Sequence, residues 1–271
     1  MGINILLDFL FFNGDEFMGS IIIFILAGIL AGIGIGLVGL SAASIITPML
    51  VAILGFDAYK AIGIALASDV LAAGSSSVTY FKNKNIDIKN GIIMMISTMI
   101  FTYIFSYFAK YIPSNTLGSS SMIMTILLGI KFLTKPIAAS NKKIQTIKNP
   151  KKQIVLSIFW GALVGIVCGI LGAGGGVMLL LVLTSILGYD LKSAVGTSVF
   201  IMAFTAFTGA FAHIVHGGTN FKALIICSIC ALISSKSASK FANKTNNEKL
   251  NKTSGVFLIA FGVILLLIKF L

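Results

Sequence analysis

The stretch LGYDLKSAVG, residues 187–196, has an earlier counterpart in LGFDAYKAIG, residues 54–63. The two start at Leu187 and Leu54, an offset of 133 residues. Holding that offset backwards pairs Gly39 with Gly172, Gly36 with Gly169, Gly32 with Gly165 and Gly28 with Gly161. Forwards it pairs Asp57 with Asp190, Ala61 with Ala194 and Gly63 with Gly196. About a third of the positions from Gly28 to Gly63 are identical to their partners, and such self-similarity marks an internal repeat. Abundant Leu, Ile, Ala and Gly align by chance, but a shared Gly-aromatic-Asp at one register does not follow from composition.

Around these segments lies a chain of 271 residues that is 57% apolar and only 10% charged. Soluble domains carry about 25% charged residues, so this composition cannot cover a water-facing surface. Several apolar runs approach the ~20 residues that cross a bilayer. The expectation is a multi-pass protein of the cell membrane. Spans are predicted in Met18 to Phe56 (two passes turning at Gly39 to Ala43), Tyr59–Phe81, Asn90–Ala109, Thr116–Leu133, Gln153–Leu171, Gly174–Leu187, Leu191–Val215, Phe221–Ser239 and Gly255–Leu271. Four regions follow: a polar, interfacial segment 1–17, a first repeat 18–133, a basic linker 134–152 and a second repeat 153–271. Asp8, Asp15 and Glu16 precede the first long apolar run without a basic leader, unlike a cleaved signal peptide.

The net charge of +12 comes from lysines set in loops: Lys82, Lys84 and Lys89, then Lys135 to Lys152, then Lys236 to Lys252. Basic loops face the cytoplasm, which places the linker inside and the N-terminus outside. All three clusters share one side if each half crosses an odd number of times, so the halves have opposite orientations. The fold expected is all-α and polytopic, with two inverted-topology repeats, an arrangement that builds many secondary transporters. The chain contains no arginine, the residue that dominates bidentate phosphate recognition, so nucleic acid is excluded as a partner. No metal or cofactor signature is present. Gly34 to Gly39 fits G-x-G-x-x-G but lies in an apolar run instead of after a strand. Neither HExxH nor GxSxG occurs, which removes the commonest hydrolase readings.

Between hydrocarbon runs, GAGGG at residues 172–176 interrupts a helix. A segment from Gly174 to Leu187 is about 21 Å of helix at 1.5 Å per residue, short of a hydrocarbon core of ~30 Å. Short broken helices are therefore predicted to meet near mid-membrane, with unpaired N–H groups at their starts. Those ends carry the positive pole of the helix dipole and seat anions. Gly174, Gly175 and Gly176 are candidate ligands on that ground, as are Ser41, Ala42, Ala43 and Ser44 after Gly39. Gly28, Gly32, Gly36 and Gly161, Gly165, Gly169 recur every four residues, a spacing suited to helix packing.

Asp69, inside the third span, is a functional candidate because a mid-membrane charge is expensive; it is the candidate for proton coupling. Ser75, Ser76 and Ser77 could meet an anion or bond their own helix. His213 could donate to an anion, carry a proton, or hold a structural hydrogen bond. Cys227 and Cys230 form C-x-x-C within an apolar helix, where small apolar filling outweighs redox chemistry. Asp57 and Asp190 suit helix capping.

The segments GAGGG at 172–176, LGYDLKSAVGTS at 187–198 and the later His213 make the chain resemble the sulfite exporter TauE/SafE family. GLSAASIITP at 39–48, AIGIA at 61–65 and Asn85-Ile86-Asp87 extend the resemblance over the first half. It implies export of sulfite, sulfonates or related organosulfur anions by alternating access, and it adds Thr197 and Ser198 to the candidate ligands. In the first half Ser41-Ala42-Ala43 stands in place of the triple glycine, and Ile64-Ala65 in place of Thr-Ser. The alternatives are another small anion or carboxylate as substrate, or a non-transporting membrane assembly factor. The partners expected are a small anion and the lipid bilayer, with a homodimer as a candidate assembly.

Overall fold

A computed structural model describes residues 14–117, 119–120, 123, 150–172, 175–246, 248–250, 252–253, 256–257 and 260. The predicted segment 1–17 lies largely outside the described residues. So do most of the predicted spans at 116–133 and 255–271, linker residues 134–149, and Gly174.

The described chain is helical throughout: α1 (Gly14–Val38), a 3-10 turn (Ala42–Ser44), α2 (Ile46–Leu54), α3 (Ala58–Lys82), α4 (Ile88–Ala109), α5 (Pro150–Leu171), α6 (Gly175–Leu181) continuing as a π-helical turn (Val182–Ile186), α7 (Leu191–Gly217) and α8 (Phe221–Lys244). Among the described residues, six helices are long and apolar enough to cross a membrane, and two shorter apolar helices cover Ala42–Leu54 and Gly175–Ile186. Large side chains such as Val155, Phe159, Phe207, Phe211 and Ile233 point outward. Such continuous apolar exposure belongs against lipid.

Local chemistry sets the helix ends, and it does so twice. α1 and α5 each stop before a glycine in the left-handed region, Gly39 at φ +68° and Gly172 at φ +62°, a conformation that costs other residues about 1 kcal/mol or more. The Gly39 amide donates to Ile35 O (2.9 Å) and the Gly172 amide to Cys168 O (2.8 Å). The short helices end at Gly55 and Gly188, also left-handed. Asp57 and Asp190 then cap α3 and α7 by accepting from the amides of Lys60 and Ser193, which is the capping role their sequence position suggested. Asp87 caps α4, and Asn220 caps α8. Each pair lies 133 residues apart, so the repeat found in the sequence is also a repeat of helix boundaries.

The halves interlock. α1 packs along α8 and α5 along α4, so the first helix of each half lies against the last described helix of the other; α3 and α7 form the central pair. The glycine stripes explain the closeness. A Cβ at Gly28 would meet Cys227 O at 2.7 Å, and one at Gly36 would meet Ser235 O at 2.6 Å. On the other seam, Cβ atoms at Gly161, Gly165 and Gly169 would meet Met94 O (2.9 Å), Thr98 O (2.6 Å) and Thr102 O (2.6 Å). Small residues let backbones approach where hydrocarbon offers no hydrophobic drive. Cys227 and Cys230 belong to this seam: Cys227 Sγ donates to Phe24 O (3.4 Å), and Cys230 packs on Gly28.

Across the seams, Tyr80 of α3 donates its hydroxyl to Gly36 O (3.0 Å). At the equivalent place in the second half, His213 Nε2 lies 3.2 Å from Gly169 O. Gly63 and Gly196 make room for these two side chains. The Asn85-Ile86-Asp87 loop crosses onto the second half, where the Asp87 amide donates to Thr197 Oγ1 (3.0 Å) and Tyr189 donates to Asp87 Oδ2 (2.7 Å). Partial burial pushes the Asp87 carboxyl up, but hydrogen bonds from Asn90, Tyr189 and the Asn90 and Lys89 amides outweigh it and hold it below its ordinary value.

Gly165→Ala is expected to lower the thermal midpoint, by an overpacking cost of about 1–3 kcal/mol. Gly74→Ala, where a Cβ meets nothing within 4 Å, should leave it unchanged or raised; equal effects of the two would contradict the close-packed seam. A carboxyl held low contributes stability that is complete above the unfolded value of about 3.9 and fades as pH falls through the native one. Differential scanning fluorimetry at decreasing pH should therefore show an acid limb that Asp87→Asn flattens and Tyr189→Phe moves to higher pH.

Candidate functional site

The two interruptions meet in the middle of the fold. A Cβ on Gly172 would lie 3.2 Å from the Ala43 methyl and 2.5 Å from Ile62 Cγ2. One on Gly176 would run into the Gly39 carbonyl and come within 2.8 Å of Met202 Sδ. The glycines thus let two kinked backbones press together.

The first interruption holds an acid. Asp69 projects from the middle of α3 and is fully buried. Its Oδ1 accepts from the Ala42 amide at 2.6 Å, and its Oδ2 lies 2.6 Å from Ser41 Oγ. Ser41 Oγ also lies 3.1 Å from the Gly172 carbonyl oxygen and accepts from the Ala43 amide at 3.2 Å. Ser41 is the N-cap of the 3-10 turn, so Asp69 and Ser41 together take up amides that a helix start leaves unpaired. A buried acid with no such partners would cost several kcal/mol. Ser44 is buried beside them, its amide donating to Ser41 O (3.0 Å).

The second interruption is built differently. At the register of Asp69 the second half carries Met202, whose sulfur faces Gly176. Gly175 and Gly176 are buried, and Cys168 of α5 lies against Gly175, its Sγ 3.1 Å from where a Cβ would stand. Cys168 is buried in an apolar cluster with Ile62, Leu66, Ala206 and Ala210. The first interruption is therefore polar, with Asp69 and Ser41; the second is lined by glycine, the Cys168 thiol and the Met202 thioether.

Of the remaining candidates among the described residues, only Ser198 reaches the interruptions, at Gly39. Thr197 Oγ1 is taken by the Asp87 amide, and Ser198 donates to Val195 O (2.9 Å) while facing Gly39. His213 is fully buried between two carbonyls, Tyr59 O and Gly169 O, each 3.2 Å from a ring nitrogen, and its ring lies over Tyr59 at 4.1 Å. It stands where Tyr80 stands in the first half. Ser76 donates to Ser235 O (3.4 Å) at the α3–α8 contact. Among the described residues, no group of three or more His, Cys, Asp or Glu could hold a metal ion.

Sequence reasoning named Ser41 and Asp69 separately and did not join them. It passed over Met202, although carrying the 133-residue offset on to Asp69 leads directly to it.

Known proteins bear on this geometry. Residues 24–265 match the family described as sulfite exporter TauE/SafE. Two proteins of Bacillus subtilis (strain 168) are similar. The probable membrane transporter protein YunE is 26% identical over 220 residues, covering 74% of this chain and 81% of that protein. The probable membrane transporter protein YdhB is 22% identical over 219 residues, covering 81% and 89%. The probable membrane transporter protein MJ0441 of Methanocaldococcus jannaschii is 35% identical over 111 residues, covering 39% of this chain and 42% of that protein. No solved structure matches. With the family match running through both halves and both interruptions, this multi-pass membrane protein belongs to the sulfite exporter TauE/SafE family, a family of transporters rather than enzymes.

Proposed function

We propose that the protein carries small sulfur-containing anions, such as sulfite or organosulfonates, out across the cell membrane by alternating access. The observation that carries this reading is the Ala42 amide donating at 2.6 Å to the acid side chain of Asp69. The first interruption already receives an oxygen acid in the middle of the fold, and the second offers the equivalent place without one. The substrate sits between them, against Gly175 and Gly176 on one side and the Ser41–Ser44 turn on the other. Thr197, Ser198 and His213 shape the walls through the contacts they make with the Asp87 loop, Gly39 and Gly169. No arginine exists to clamp an anion, so amides and hydroxyls bind it and select by size.

In this reading the repeats are inverted. Their basic loops, including linker 134–152, face the cytoplasm and the N-terminus lies outside. The interlocked seams then move as two bundles about the central α3–α7 pair. Asp69 couples flux to protons: its charge repels the substrate when ionised and stops doing so when neutral. A second reading, a small carboxylate as substrate, draws on the same acid-holding geometry at Ala42.

Reconstitution into liposomes tests both. Sulfite, thiosulfate, sulfoacetate and acetate are supplied on one side, with and without an imposed pH gradient. Flux of a sulfur anion above protein-free liposomes, accelerated by the gradient, is the expected result; preference for acetate selects the second reading, and no flux of any anion rejects both. The preferred anion should also stabilise the purified protein by about 2.7 kcal/mol at a hundredfold excess over its Kd. Asp69→Asn should retain flux while losing the effect of the pH gradient.

A further inference from the structure

The contacts of one hydroxyl carry the coupling reading further. A serine hydroxyl has a single proton to give and two lone pairs that accept. Ser41 Oγ receives the Ala43 amide and has two further oxygens within hydrogen-bonding distance, Asp69 Oδ2 at 2.6 Å and Gly172 O at 3.1 Å. A carbonyl oxygen has no proton. If Asp69 were ionised, Ser41 would have one proton for two acceptors, and one buried oxygen of the pair would go without. If Asp69 is neutral, every contact is satisfied: the Ala42 amide donates to Oδ1, Oδ2–H donates to Ser41 Oγ, and Ser41 donates to Gly172 O.

The surroundings agree. Asp69 and Ser41 are fully buried. Among the described residues no cationic side chain acts on Asp69; the groups that shape it are Ser41, Ala42 and its burial. The elements packed against α3 carry Lys192, His213 and His216 on α7, Cys227, Cys230 and four lysines (Lys222, Lys236, Lys240 and Lys244) on α8, and Asp15 and Glu16 at the start of α1, while Cys168 of α5 shares an apolar cluster with Ile62 and Leu66 of α3. Cys227 is directed at Phe24 O, and His213 at Tyr59 O and Gly169 O. None supplies a positive charge to hold a carboxylate in the centre of the fold.

We infer that the structure is the proton-loaded form of the carrier, in which Asp69 Oδ2 bears the proton and Ser41 relays its presence to the second repeat through Gly172. Loss of that proton to water on the open side of the pathway turns Ser41 toward the carboxylate, the shorter and stronger acceptor. The Gly172 carbonyl is then released, and the one side-chain tie between the two interruptions seen among the described residues is cut. Ser41 is thus a positioning residue: it holds the breaks together only while Asp69 is neutral. The inference rests on Asp69 being the coupling group, but its test requires no transported substrate.

Infrared spectroscopy of the purified full chain reads the proton directly. At neutral pH, where water-exposed aspartates are ionised, the wild type should show a protonated-carboxyl C=O band that shifts on 13C-aspartate labelling. Asp69→Asn should remove it. Ser41→Ala should raise its frequency by removing the acceptor, and Ser41→Thr, which keeps the hydroxyl, should restore it. The wild-type band alone decides the protonation state if either variant fails to fold: its absence overturns the inference. So does a band that survives Asp69→Asn or ignores Ser41→Ala. Hydrogen exchange reads the relay. At alkaline pH the amides around Ser41 and Gly172 should exchange faster in the wild type than in Asp69→Asn, whose side-chain amide remains a donor toward Ser41; equal exchange overturns the relay. An infrared band without anion flux would sink only the transport reading, and flux without the band only this one.

Discussion

A membrane leaves no backbone polar group to be rescued by water, and that constraint governs the whole molecule. Two helices are broken in the middle of the fold, at Gly39 and Gly172, and every group freed by the breaks must find a partner within the protein. Ser41 and Asp69 do this for the first break, and the closeness of the second break to the first allows it: the Ser41 hydroxyl reaches Gly172 O because glycine at 172 leaves room for Ile62 and Ala43. Remove that mutual support and the interruptions become unpaired backbone in hydrocarbon, at several kcal/mol each.

The same backbone plan is used twice and dressed differently. Left-handed glycines, aspartate caps and glycine stripes recur at equal spacing, since they are what the helix ends and seams require. The side chains at the centre do not recur. Asp69 faces Met202 across the register, Ser41 faces glycine, and Tyr80 faces His213. The duplicated frame fixes where the two breaks fall; divergence of the few residues beside them gives one an acid and the other a thioether. A symmetric centre would put an acid at both breaks, whereas this one has Asp69 at the first and Met202 at the second.

His213 shows how the frame constrains interpretation. Met at 202 in place of Asp69 is a loss of an acid, but His213 in place of Tyr80 keeps a polar ring atom aimed at the equivalent carbonyl, Gly36 O in one half and Gly169 O in the other. Its structural work is therefore shared with a tyrosine that has nothing to titrate at neutral pH. Thr197 is likewise engaged by the Asp87 loop, which ties the halves together at the far end of α7 from His213.

Much of this was legible along the chain. Helix ends depend on residues within a few positions of each other, so Gly39, Gly172, Asp57 and Asp190 announced themselves, and the four-residue glycine period declared the seams. The apolar content fixed the solvent as lipid, and the 133-residue echo fixed the duplication. What no local pattern contains is which distant groups touch. Ser41 and Asp69 are 28 residues apart, and Ser41 and Gly172 are 131 apart; their meeting follows from α1 and α5 each packing on the other half's last described helix. Sequence alone thus determined the membrane class, the repeats and the places where helices break, because those follow from hydrocarbon thickness and backbone geometry. Only the tertiary structure decided that the acid of one helix fills the break of another, because a hydroxyl's choice of acceptor is settled by distances of a few ångströms between segments far apart in the chain.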